Sequence, residues 1–167
     1  LSQLSRITLD LQNIVMKLRM VPVSFVFNRF PRLVRDLSQE LGKKVNFIIR
    51  GEDTELDRTV ADEIGDPLVH LIRNSLDHGI EKPHERISKG KPEVGTLILS
   101  ARHEGNGVII EVEDDGKGMN KEEILRKAVE RGLVSASETS KLSDEEIFNL
   151  VFLPGFSTKT VSTEVSG

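Results

Sequence analysis

The residues best suited to chemistry in this chain run from His70 to Gly79, HLIRNSLDHG. Read as one continuous helix, they place His70, Asn74 and Asp77 at i, i+4 and i+7, stacked along one face. Leu68, Leu71, Ile72 and Ser75 share a neighbouring face suited to packing on a sheet. The polar stripe lacks lysine and glutamate, the usual solvating residues. It offers instead an amide oxygen, a hard ligand for a divalent cation, and an imidazole that exchanges a proton near neutral pH. That pairing suits a metal and a phosphate.

A second group lies in Val108–Gly118, VIIEVEDDGKG. Period-two alternation points Val108, Ile110, Val112 and Asp114 inward, and Ile109, Glu111, Glu113 and Asp115 toward water. An inward carboxylate at a strand end is costly unless it is paired or hydrogen-bonded. Gly116 and Gly118 permit a close backbone approach. The exocyclic amine of a purine would satisfy Asp114 through a charge-assisted bond worth about 1.5–3 kcal/mol. A carboxylate capping a tight turn would satisfy it equally, so both readings stand on this motif alone. No G-x-x-x-x-G-K-[ST] loop occurs, and Lys121 stands where a dinucleotide fingerprint would carry its third glycine.

Several elements must position these groups. Leu4, Ile7, Leu11, Ile14 and Leu18 recur at helical spacing from Leu1 to about Met20. That stripe calls for a bundle or dimer interface, or for packing on the chain's own domain. Pro22 marks a break. Val23–Leu41 supplies a second helical pattern stopped by Gly42, with Pro31 as a kink or a new start. Lys44–Arg50 reads as a strand and Glu52–Leu56 as a possible second one. The next helix starts either at Asp66-Pro67 or nearer Asp57. Ile80–Pro92, polar and proline-bearing, reads as a surface excursion. Thr96–His103 and Val108–Glu113 form a hairpin. Lys121–Arg131 is a helix capped by Asn120, and Ser143 with Glu146 has capping-box spacing. The tail from Pro154 reads as a loop. Together these elements predict an α+β fold, one sheet covered on one face by helices, plus an N-terminal helix.

The 167 residues give room for one domain and a short appendage. A net charge of −4 gives no support to nucleic acid or a membrane surface as partner. Without cysteine there is neither a disulfide nor thiolate–metal chemistry. No apolar run approaches the roughly 20 residues of a membrane span, and no signal-peptide core opens the chain. Starting at Leu1 and stopping at Gly167 inside a Ser/Thr/Gly-rich segment, it reads as a piece of a longer protein.

Taken together, the two groups resemble the ATP-binding fold shared by gyrase B, Hsp90, histidine kinases and MutL, a two-layer α/β sandwich with a mixed sheet. The helix around Asn74 resembles its N box and Asp114-x-Gly116-x-Gly118 its G1 box. Phe148, Phe152 and Phe156, with Pro154–Lys159, resemble the F box and the start of the ATP lid. The closer resemblance is to the chemotaxis branch of the histidine kinases, carried by Met16–Pro22, Phe30–Arg35, His70–Ile80, Glu113–Met119 and Pro154–Lys159. It implies that residues 1–21 end a dimerisation helix and that 22–167 form the ATP-binding domain, with its C-terminal part absent. It also implies that Asn74 coordinates Mg2+ and that Asp114 binds the adenine amine, with Gly116 and Gly118 beside it. Arg73, Asp77 and His78 would line the pocket, and Ser157, Thr158 and Lys159 would reach the phosphates from the lid.

One position separates transfer from hydrolysis. Hydrolysing relatives carry a water-activating glutamate four residues before the asparagine, where this chain has His70. The resemblance therefore implies a cytoplasmic kinase in which His70 is catalytic. The phosphate would pass to a histidine on a separate phosphotransfer domain of the same dimeric protein. Coupling protein and chemoreceptors would act upstream, and response regulators downstream, through parts outside this chain. An ATP-hydrolysing conformational machine and a non-catalytic dimerisation scaffold are the alternatives. Neither His84, between two prolines, nor His103, beside a hairpin turn, sits on a long helix as an acceptor would.

Overall fold

In a computed structural model, which describes residues 2–153 and 156, the chain's contacts divide it into two units, Leu1–Lys117 and Gly118–Gly167. The first opens with helix α1 (Ser2–Leu18). Its apolar stripe stays in solvent: Leu4, Ile7, Leu11, Ile14 and Leu18 are all exposed. Packing of that stripe on the chain's own domain is not seen among the described residues. Where a break was expected at Pro22, Met20–Pro22 forms a short strand, β1. A proline is tolerated there because it ends an edge strand and owes no ladder bond on its open side.

Helices α2 (Ser24–Phe27) and α3 (Phe30–Glu40) follow, with Pro31 in the first turn of α3, so the proline starts a helix instead of kinking one. Gly42, at φ 64°, terminates it. Strand β2 (Val45–Arg50) comes next, then β3 (Glu55–Asp57), which pairs antiparallel with β1. Helix α4 spans Arg58–Asn74. Asp57 is its cap, accepting from the Thr59 N–H at 2.8 Å, and Pro67 lies inside it. The nearer-Asp57 start is therefore the one the chain adopts.

The regular helix does not continue to Gly79. Ser75–Gly79 is a π-helical turn, closed by the Ile80 N–H donating to the Ser75 carbonyl at 2.8 Å. The expected i+7 stacking of Asp77 on His70 is thus replaced by a wider turn. Leu71, assigned to the packing face, is exposed; Leu68, Ile72 and Leu76 are the buried residues.

Helix α5 (Pro83–Ser88) precedes the hairpin of β4 (Gly95–Glu104) and β5 (Gly107–Asp114). The sheet order is β2-β4-β5, with β2 parallel to β4 and β5 antiparallel to it. Its inner face joins Leu97, Leu99 and Ala101 to Val45, Phe47, Ile49, Val108, Ile110 and Val112. These pack with Phe27, Phe30, Val34, Leu68, Ile72 and Leu76 from the helical layer. Each side chain so buried contributes about 1.5–3 kcal/mol. The expected mixed sheet with helices on one face is present.

The second unit carries α6 (Lys121–Glu130), capped by Asn120, and α7 (Asp144–Asn149), closed by the Ser143–Glu146 capping box. Ile124, Ala128, Ile147 and Leu150 form its core, with Phe148 and Phe156 packed against it. Phe152 is exposed. Among the described residues no helix is long and apolar enough to cross a membrane.

Candidate functional site

The candidate site of the first unit is assembled where the end of α4 meets the end of β5. His70 and Asn74 lie one turn apart on the last stretch of α4. His70, Arg73, Asn74 and His78 are exposed, and Asp77 is half-buried. Two apolar neighbours, Ile72 and Leu76, are fully buried and fix this segment on the sheet. Hydrophobic packing on one side thus leaves the polar residues facing water.

Lys43, which the sequence did not single out, secures the π turn. Its ammonium donates to the carbonyls of Leu76 and Asp77, the latter at 2.9 Å. Those carbonyls end the helix and have no intrahelical partner of their own. Burial pulls the Lys43 ammonium below its ordinary value, against the opposing charge of Asp77. The signal available was a lysine just after a helix-stopping glycine, and many solvated lysines share it.

Asp114 points inward at the end of β5, as the alternation requires. One carboxylate oxygen, Oδ1, accepts from the Gly116 N–H at 3.0 Å. Gly79 lies directly against it, since a Cβ built there would fall 2.8 Å from Oδ2. A Cβ on Gly116 would fall 2.2 Å from the Gly79 carbonyl, and the Lys117 N–H donates to that carbonyl at 3.0 Å. Gly116 is therefore required by close approach of the Gly79 backbone. Gly118 differs: its φ is 70° and a Cβ there would meet open space, so it serves the turn. The structure brings Asp77, His78, Asp114 and Gly116 together through Gly79. Ser157, Thr158 and Lys159 lie outside the described residues.

Two expectations need correction. Ile80–Pro92 is not a surface excursion, because Glu81 and Arg86 within it are buried. Asp115 is not simply a wet outward carboxylate. Its Oδ2 accepts from Arg86 at 2.9 Å and its Oδ1 from the Thr96 N–H at 2.8 Å. Arg86 also donates to Glu81 at 3.1 Å and to the Pro92 carbonyl at 2.7 Å. Burial alone would raise the Glu81 carboxyl; hydrogen bonding and charge from Lys91, with Lys89 beyond, outweigh it and hold Glu81 at about 2. Alternation located Asp115 on the outer face correctly but could not reveal a partner 29 residues away.

Comparison with known proteins decides the family. Residues 63–167 match the family described as histidine kinase-, DNA gyrase B-, and HSP90-like ATPase, which covers more than half of the chain. The chain belongs to this family. Membership in this ATPase family implies ATP as the ligand of the site between α4 and β5. Over 165 residues, 99% of this chain and 25% of that protein, it is 58% identical to a Bacillus subtilis protein named chemotaxis protein CheA. It is 55% identical to the Helicobacter pylori protein named sensor histidine kinase CheAY, over 99% of this chain and 21% of that protein. A Listeria monocytogenes chemotaxis protein CheA is 52% identical over 100% of the chain and 27% of its own length. The chain thus spans about a quarter of the length of the curated relatives it matches.

Mg2+ fits this donor set in one way. Asn74 offers a single exposed amide oxygen, and among the described residues no three His, Asp or Glu converge on a metal site. A cation held at Asn74 would draw its remaining oxygens from phosphates and water, the coordination Mg2+ favours.

Proposed function

We propose that this chain is the ATP-binding part of a cytoplasmic, dimeric chemotaxis histidine kinase, which transfers the γ-phosphate of Mg-ATP to a histidine on a separate phosphotransfer domain. The observation that carries the nucleotide reading is Asp114. Its Oδ1 is engaged by Gly116, and the carboxylate sits at the strand end against Gly79. The other oxygen is suited to accept from the adenine amine, and Gly116 supports the approach.

Asn74 would hold Mg2+, which when bound would neutralise the charge that spreads over the phosphates during transfer. Arg73, Asp77 and His78 would line the pocket on the α4 side, and Ser157, Thr158 and Lys159 would contribute from the lid. His70 stands one turn before Asn74, where a hydrolysing relative would carry glutamate. A neutral imidazole there can hydrogen-bond near the γ-phosphate but is poorly suited to activating water. The names of the relatives support the same reading, with coupling protein and chemoreceptors upstream and response regulators downstream. The exposed stripe of α1 supports a dimer of the full-length protein.

The deciding experiment gives full-length protein labelled ATP, with and without a phosphotransfer domain. Label accumulating on the acceptor histidine is the expected result. Rapid phosphate release that ignores the acceptor would replace the kinase reading with hydrolysis.

A further inference from the structure

The segment 80–92 carries charges in a place where charges are costly. Arg86 and Glu81 each have about 1% of the side chain exposed. Every nitrogen of the Arg86 guanidinium is engaged. Nε donates to the Pro92 carbonyl at 2.7 Å, Nη1 to Glu81 at 3.1 Å and to the Asp115 carbonyl at 3.3 Å, and Nη2 to the Asp115 carboxylate at 2.9 Å. Lys91 adds three bonds: to Glu81 at 2.9 Å, to the Asp115 carbonyl at 3.1 Å and to the Gly116 carbonyl at 2.8 Å. Asp115 is further tied to β4 by exchange of backbone and side-chain bonds with Thr96.

Most of these bonds end on residues 115 and 116, the two that follow Asp114. A buried ion pair is weak evidence of stability, since apolar packing often does as well. What a fully bonded fork supplies that apolar packing does not is fixed direction. The direction fixed here is that of the strand end. With both carbonyls and the Asp115 side chain held, the peptide between Asp114 and Gly116 cannot rotate, and Asp114 keeps its place against Gly79.

We propose that Arg86 and Lys91 are positioning residues of the nucleotide site: they clamp Asp115 and Gly116 so that the Asp114 carboxylate is aimed at the 6-amine of the purine. This inference rests on the nucleotide reading above. It makes the loop between the N-box helix and β4 responsible for base selection, although none of its residues touches the base.

The test measures the preference for ADP over inosine diphosphate, which carries a carbonyl in place of the amine, on the full-length protein with Mg2+. Unfolding midpoints are measured alongside. The wild type is expected to prefer ADP by about tenfold or more, the scale of one charge-assisted bond. Lys91→Met, at a partly exposed position, should fold and lower that preference to about threefold or less. Lys91→Arg should restore it. Asp115→Asn, which weakens the same clamp from the other side, should behave like Lys91→Met. If both variants lose stability yet keep the wild-type preference, the cluster only supports the fold and the proposal is overturned. If Asp114→Asn also leaves the preference unchanged, or the wild type binds neither nucleotide, the nucleotide reading itself fails.

Discussion

Two polar stretches, only a few residues apart, meet opposite fates. At the end of α4, His70, Arg73, Asn74 and His78 lie in water. In the segment that follows, Glu81 and Arg86 are buried and bonded to one another and to the end of β5. The sequence offers similar polarity in both. The difference is whether the protein itself supplies the partners. Arg86 finds its partners inside the fold, whereas the α4 residues present donors and acceptors outward, as a face that waits for a ligand must. Polarity alone does not mark a binding face; polarity without internal satisfaction does.

Substitutions should separate the two stretches by their effect on stability. Arg86→Ala, which strands Glu81 and Asp115, should cost about 3–5 kcal/mol in urea unfolding of the folded protein. A loss under about 1 kcal/mol would mean that water replaces the guanidinium without penalty.

Glu81→Gln comes next, and pH sharpens it. The folded carboxyl sits at about 2 against an ordinary 4.5. Its contribution is therefore complete above pH 4.5 and disappears as pH falls through about 2. The shift corresponds to about 3 kcal/mol at neutral pH. Glu81→Gln should be destabilised by that order at pH 7 and should show a flatter stability profile across the acid window. An unchanged acid slope would remove Glu81 from the account.

Gly116→Ala places a methyl against the Gly79 carbonyl and should cost about 1–3 kcal/mol, with weaker Mg-ADP binding measured by calorimetry. Binding that survives intact would show that the Gly79 contact does not shape the site.

The smallest effect on stability belongs to the exposed stripe. His70→Ala and Asn74→Ala should each shift stability by less than about 0.5 kcal/mol while phosphotransfer to the acceptor domain is lost. A large fall in unfolding midpoint in either would turn the open face into a structural one and erase the contrast.

What was legible in the sequence was local. The β4–β5 hairpin, the inward Asp114 and the caps at Asn120 and Ser143 all follow from spacing over a few residues. Asp57 and Asp66 both carried cap signals, and local chemistry could not choose between them. The α4 helix accommodates Pro67 in its interior because tertiary packing of Ala61, Leu68 and Ile72 outweighs one lost backbone bond. The pairing of Met20–Pro22 with Glu55–Asp57 and the burial of Arg86 depend on partners far along the chain. The polar composition of 80–92 pointed to solvent because such residues are rarely buried without partners. The site was half legible for the same reason: its residue types could be named, but not the contact at Gly79 that joins them.

The π turn at Ser75–Gly79 sets the phase of everything after it. An α-helix advances about 100° per residue, so removing one residue from this turn would restore ordinary winding and swing the following chain by that angle. Gly79 would then face away from Asp114, and Ile80 would leave the core. A single-residue deletion here is thus a rotation and not a shortening. The five residues work as a gear tooth whose count, more than their chemistry, keeps two distant parts of the chain in mesh.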